Sequence, residues 1–109
     1  LNAEVQLQSK KAERRIPLTE FLLGPRKTAL EADEIVTGVF IPQSALAGHS
    51  SFLKLGARRY LVISIAMTAA RIEIQDGVVA SAALAIGSCG PTATRLAAAE
   101  AATELDHRI

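Results

Sequence analysis

Lys54, Arg58 and Arg59 fall within one short stretch, FLKLGARRYLVISIA, from Phe52 to Ala66. Two β-rich segments flank a Gly-Ala-Arg-Arg-Tyr corner. Cations at a tight corner create a fixed positive field, where an anion or an electron-rich cofactor can sit. Arg58 and Arg59 can grip phosphate or carboxylate with two parallel bonds. Salt bridges to another subunit or domain would use the same groups equally well. Lys54 lies in a strand expected over Ser51 to Leu55, on the face of Phe52 and Gly56. It is either a cation held toward a ligand or an edge lysine that discourages strand addition.

The residues after the corner are Tyr60, Leu61, Val62 and Ile63. Tyr60 is the only tyrosine and could stack on a ring, though aromatic side chains more often simply pack. Leu61, Val62 and Ile63 can cover the face of a flat ligand or begin an ordinary strand core. Cys89 sits in the turn Gly87-Ser88-Cys89-Gly90. A nucleophilic thiol needs a base beside it, and nothing ties His49 or His107 to it. Each histidine is isolated, which argues against a metal site. Glu31, Asp33 and Glu34 form an acidic cluster read as a solvated loop. The seven glycines are scattered, so no glycine-rich phosphate loop is present.

A chain of 109 residues is at most one domain's worth. Half of it is apolar but only 4% is aromatic, so any core is built of Ala, Val, Ile and Leu. The formal net charge of +1 lacks the broad basic face of a nucleic-acid binder. No apolar run reaches the roughly 18 residues of a membrane span. The longest, Leu61 to Ala70, fits a buried strand. One cysteine excludes an intramolecular disulfide, and the cytoplasm is the default location. The chain opens on Leu1 in mid-pattern and stops just after an alanine-rich segment, as a piece of a longer protein would.

Positioning elements follow from the hydrophobic periodicity. Ala3 to Ser9 alternates as a half-buried edge strand, and Lys10 to Arg15 reads as a solvated charged turn. Thr19 to Leu23 is a helical turn stopped by Gly24-Pro25, and Arg26 to Ala32 is a loop. Asp33 to Ile41 is a strand with Ile35, Val39 and Ile41 on one face. Gln43 to His49 is the best internal boundary. Ile63 to Gln75 and Val78 to Gly87 pair through Asp76-Gly77, a strong hairpin signal. Ser51 to Leu55 makes that sheet three-stranded. Thr92 or Thr94 caps a helix running through Leu105. The fold class is α+β.

Three blocks of the chain resemble the FAD-binding (medium) subunit of molybdenum hydroxylases, the xanthine dehydrogenase and carbon monoxide dehydrogenase flavoprotein family. IPLTEFLLGPRKTALEADEIVTGVFIP (Ile16 to Pro42) looks like the end of that family's FAD-binding domain. Phe52 to Ala66 resembles the start of its C-terminal domain, and ALAIGSCGPTATRLAAAEAA (Ala83 to Ala102) its closing strand, turn and helix.

The resemblance implies a C-terminal remnant of the FAD-binding domain over 1–42. It implies a truncated flavoprotein C-terminal domain over 43–109, a small three-stranded antiparallel sheet packed with a helix. FAD would be the cofactor of the full-length subunit, with its pyrophosphate held by upstream domains. Lys54, Arg58, Arg59, Leu61, Val62 and Ile63 would form one wall of the flavin site. The family carries a lysine at the place of Lys54, close to FAD. Many members follow the arginines with acidic residues, where this chain has Tyr60, Leu61 and Val62. A missing acid should make the ring easier to reduce. The implied partners are a molybdopterin-binding large subunit and a 2Fe-2S small subunit, and the isolated chain could form a homo-oligomer. The whole enzyme would relay electrons from iron–sulfur clusters through FAD to an acceptor. The rival expectation is a subunit-docking domain with no cofactor contact.

Overall fold

The structure is a computed structural model that describes residues 1–105. His107 lies outside the described residues. The chain forms two compact units, Leu1–Leu46 and Ala47–Ile109.

The first unit is a three-stranded antiparallel sheet. β1 (Glu4–Gln8) lies between β2 (Glu13–Pro17) and β5 (Ile35–Phe40). Central placement explains the burial of Val5 and Leu7, the latter fully enclosed. The β1–β2 turn is built by Ser9. Its hydroxyl accepts the N–H groups of Lys11 (3.2 Å) and Ala12 (3.1 Å), a local bond that substitutes for a glycine turn. β2 leads into a single helical turn, α1 (Leu18–Phe21).

Four sequence expectations change here. The strand expected over Ala3 to Ser9 is central rather than an edge, because β5 pairs along the side of β1 away from β2. Lys10 to Arg15 is a turn only as far as Ala12, since Glu13 to Arg15 pair with β1 as part of β2. The stretch Arg26 to Ala32 is not wholly loop. β3 (Leu22–Gly24) and β4 (Lys27–Thr28) form a miniature hairpin, with Arg26 in the left-handed region at φ 55°. Pro25 and Arg26 supply its tight reversal, a strand pair too short for periodicity to reveal. In β5, Ile35 and Val39 do not share a face. Val39 pairs with Val5, whereas Ile35 pairs with Gln8, and the register shifts between them. Partners across a sheet lie on the same face, so the irregularity moves Val36, opposite Leu7, to the Val5 side. Ile41 lies beyond the strand.

The second unit is a sheet in the order β6-β7-β8-β9. β6 (His49–Gly56), β7 (Ser64–Gln75) and β8 (Val78–Gly87) are the three long antiparallel strands expected from the sequence. Asp76 and Gly77 turn the β7–β8 hairpin, both with positive φ (53° and 75°), the backbone a twisted two-residue hairpin requires. A two-residue β9 (Thr94–Arg95) is added at the β8 edge. It displaces the expected helix start, and α2 runs over Ala97–Leu105. Thr94 is therefore a strand residue and caps no helix. Gly48 enters β6 at φ 83°, where a Cβ would meet the Ile72 carbonyl oxygen at 2.3 Å. Only glycine lets the chain pass so close.

α2 lies along the edge of β8 rather than merely against the sheet. Glu100 accepts the Leu84 N–H at 2.8 Å and Glu104 accepts the Ala82 N–H at 2.9 Å. The spacing matches: four helical residues rise about 6 Å, and two strand residues about 6.7 Å. Two carboxylates thus stand where a neighbouring strand would place carbonyls.

Candidate functional site: the loop between β6 and β7

Cross-strand register sets the stage for the corner residues. Lys54 lies opposite Met67, which lies opposite Gly87, so all three share a face. Met67 fills the space a side chain at 87 would take, since a Cβ there would meet its Cε at 2.5 Å. From this face the Lys54 Nζ donates to the Val62 carbonyl oxygen at 2.8 Å. Arg58 Nε donates to the Leu61 carbonyl oxygen at 3.2 Å, and its Nη2 reaches the same atom. Two cations therefore hold two consecutive carbonyls of loop 57–63.

The consequence is an outward-facing apolar tip. Leu61 is 92% exposed and Ile63 91%, while Val62 turns inward. Val62 packs where a Cβ on Gly56 would otherwise lie, 2.4 Å from its Cγ1. Leu61 adopts φ 48°, a left-handed conformation that costs a leucine about 1 kcal/mol or more. Tyr60 is exposed, and the Arg59 guanidinium stands 6.0 Å from its ring centroid, at the outer limit of a cation–π contact. Neither Arg58 nor Arg59 is paired with a carboxylate in the ion pairs of the described residues. Their positive charge is left uncompensated next to the apolar tip.

The six sequence-predicted residues are thus in one loop and on the strand that feeds it, in distinct roles. Lys54 and Arg58 secure the backbone, Val62 anchors it, and Leu61 and Ile63 face outward. Arg59 remains exposed. Buried strand core, the alternative for Leu61 to Ile63, is not what the structure holds, because β7 begins only at Ser64. The hollow beside Lys54, lined by Leu53, Leu55, Ala66, Met67 and Thr68, measures about 200 Å³. Ligand pockets run to roughly 300–1,000 Å³. This unit offers a wall rather than an enclosure.

Elsewhere the candidate chemistry is structural. Cys89 is exposed in its turn. Among the described residues no group of three His, Cys, Asp or Glu could hold a metal ion. The acidic cluster is not simply solvated. Glu34 accepts Arg14 Nε and Nη2, each at 2.8 Å, and the Glu31 N–H at 3.0 Å. The Arg14 guanidinium, helped by that N–H, lowers the Glu34 carboxyl to about 2. Arg14 also donates to the Ala29 carbonyl, so β2 is pinned to the loop before β5. Sequence reading missed Glu100 and Glu104 as well. Their signal was a pair of glutamates four apart in an otherwise alanine-rich helix.

Residues 1–44 match the model of the FAD binding domain in molybdopterin dehydrogenase. Residues 51–104 match that of the CO dehydrogenase flavoprotein C-terminal domain. The chain belongs to the FAD-subunit family of molybdenum hydroxylases. Among members of this family, the nicotinate dehydrogenase FAD-subunit of Eubacterium barkeri is 37% identical over 92 residues, covering 82% of this chain and 31% of that protein. The putative xanthine dehydrogenase FAD-binding subunit of Escherichia coli (strain K12) is 32% identical over 100 residues, covering 91% and 34%. The solved carbon monoxide dehydrogenase of Hydrogenophaga pseudoflava matches with a TM-score of 0.83 at 29% identity, covering 94% of this chain and 35% of that one. The chain thus spans about a third of the length of these FAD-subunit relatives. No described helix is long and apolar enough to cross a membrane.

Proposed function

We propose that this chain is part of the FAD-carrying subunit of a molybdenum hydroxylase and supplies one wall of its flavin site. The observation that carries this reading is the loop 57–63. Two cations hold its backbone from within while Leu61 and Ile63 stand more than 90% exposed. A monomer gains nothing from displaying two large aliphatic groups on a strained turn. They fit an apolar, planar ligand surface. When bound, FAD supplies the capacity to take up electrons and pass them on.

The chain's own residues then have separate tasks. Leu61 and Ile63 exclude water from the ring, with Val62 fixing their base. Lys54 and Arg58 orient the loop, and with Arg59 they provide a positive field that favours negative charge on the cofactor. No glycine-rich phosphate cradle is present in the sequence. The pyrophosphate grip therefore belongs to other parts of the subunit, and this chain alone should hold FAD weakly. In this reading residues 1–42 belong to the FAD-binding domain and 43–109 to the flavoprotein C-terminal domain. The partners are a molybdopterin-binding large subunit and a 2Fe-2S small subunit, in the cytoplasm. The assembled enzyme passes electrons from the iron–sulfur clusters through FAD to an acceptor.

Flavin fluorescence tests this directly. FAD should bind the full-length subunit and bind this chain weakly or not at all. Removing the apolar tip with Leu61→Ser and Ile63→Ser in the full subunit should lower flavin retention while the subunits still assemble. Unchanged flavin content with lost assembly would favour a docking domain without cofactor contact.

A further inference from the structure

The aspartates of the chain are Asp33, Asp76 and Asp106, and only Asp76 is followed by glycine. That dipeptide turns the β7–β8 hairpin, and it also carries chemistry. The carboxyl carbon of an aspartate can be attacked by the main-chain nitrogen of the next residue, which closes a five-membered imide ring. The reaction needs a nitrogen free of hydrogen bonds, no side chain beside it, and room to close.

Asp76-Gly77 meets all three conditions. The loop holds just these two residues, and Gln75 pairs with Val78 across it. In such a loop the closing pair exchanges its own backbone bonds, which leaves the Gly77 N–H over. None of the turn and loop hydrogen bonds among the described residues uses it. Both residues are exposed, and a Cβ at Gly77 would meet nothing within 4 Å. The Asp76 carboxylate takes no part in the ion pairs of the described residues.

Asp33 is the contrast within the same chain. It too lies in an exposed turn. The nitrogen that would attack it is occupied, because the Glu34 N–H donates to the Glu31 carbonyl at 3.0 Å. The Glu34 side chain beside that nitrogen is held by Arg14.

We propose that Asp76 is a site of spontaneous isoaspartate formation. The Gly77 nitrogen bonds to the Asp76 Cγ, and a water leaves, made of the carboxyl hydroxyl and the nitrogen's hydrogen. A second water opens the ring at either carbonyl. Opening at the Asp76 α-carbonyl routes the main chain through Cβ and Cγ. The backbone gains one atom, and the α-carboxylate becomes the side group. Nothing is oxidised or reduced, and the mass returns to its starting value.

The consequence falls on the β7–β8 pairing. A two-residue loop sets that register through its backbone, here with φ of 53° and 75°. A longer backbone does not fit the same turn. The register already shifts between Glu73 and Ile74, so the pairs Ile74–Val79 and Gln75–Val78 form a tip set apart from the rest of the ladder. Val79, only 6% exposed, lies in that tip. Loosening the tip therefore frees a core side chain while the pairs beyond the shift hold. The site draws nothing from the flavin reading.

Peptide mapping of the full-length subunit, aged while folded at physiological temperature, tests the proposal. The probe is a carboxyl methyltransferase specific for isoaspartate, supplied with labelled S-adenosylmethionine. Label at Asp76 should exceed label at Asp33 by roughly tenfold, since glycine puts no side chain beside the attacking nitrogen. Asp76→Gly keeps a Gly-Gly turn that the hairpin accepts, and should remove the label from this peptide. In the aged protein, amide exchange should quicken over 74–79 and stay unchanged in β6. Equal label at Asp33 and Asp76 overturns the proposal. So does label at Asp76 that forms only in urea, because the folded turn would then be protecting the site.

Discussion

The Lys54 ammonium donates to the Val62 carbonyl oxygen at 2.8 Å, across the turn between two adjacent strands. A lysine that by its position should guard a sheet edge instead ties down a loop. Because Arg58 takes the preceding carbonyl, the loop backbone is fixed at two successive residues. Its exposed side chains gain orientation from groups that hold the backbone behind them.

Lys54→Met should therefore loosen the loop while leaving the sheet in place. The expected loss is about 0.5–1.5 kcal/mol of stability, that of one exposed hydrogen bond. Amide hydrogen exchange should quicken at 57–63 and stay unchanged in β7 and β8. Uniform quickening would refer the effect to the whole sheet.

Leu61 carries a backbone penalty that another residue can relieve. Leu61→Asn, tolerant of φ near +50°, should raise the denaturation midpoint by the equivalent of about 0.5–1 kcal/mol. In the full subunit, Leu61→Asp should lower the flavin midpoint potential relative to Leu61→Asn. A carboxylate next to the ring disfavours the anionic reduced form. Equal potentials in the two variants would remove Leu61 from the flavin's surroundings.

Glu34 makes the first unit acid-sensitive. Its carboxyl is lowered from 4.5 to about 2 by Arg14. Between those values the unfolded chain binds the extra proton, so stability rises with pH there. The contribution is full above about pH 4.5 and disappears as pH falls toward 2. Thermal midpoints followed over this window should fall less steeply for Glu34→Gln than for the unsubstituted chain.

Glu100 and Glu104 should be unequal partners in capping β8. Arg95 binds both oxygens of Glu100 and, with the Leu84 N–H, lowers its pKa. Glu100→Ala removes the carboxylate that the Arg95 guanidinium and the Leu84 N–H share, an expected loss of about 1–3 kcal/mol. Glu104→Ala frees only the Ala82 N–H and should cost about 1 kcal/mol. Urea denaturation of each variant reads the difference.

Much of the fold was legible where periodicity and turn chemistry agree. Val5 and Leu7 announced β1 by alternation, and Asp76-Gly77 announced the β7–β8 hairpin with both positive φ values. The β5 face was misread because one register shift is invisible to an alternation count, and it exchanged Ile35 for Val36. The β3–β4 hairpin and β9 are too short to leave a pattern. At the corner, residue types drew attention to Lys54, Arg58 and Arg59, the resemblance made them and Leu61, Val62 and Ile63 candidates for a flavin wall, and three matched blocks named the family.

The sequence by itself determined which residues meet at the corner and which strands carry them, because those depend on local pattern and chain order. Only the tertiary structure decided what the cations do. Whether Lys54 guards an edge, grips a ligand or holds a carbonyl depends on where Val62 comes to lie after the turn. That in turn depends on Gly56 leaving room for the Val62 side chain. The same holds for the sheet's edges: Glu100 and Glu104 became caps only when α2 settled along β8, where helix rise and strand rise coincide.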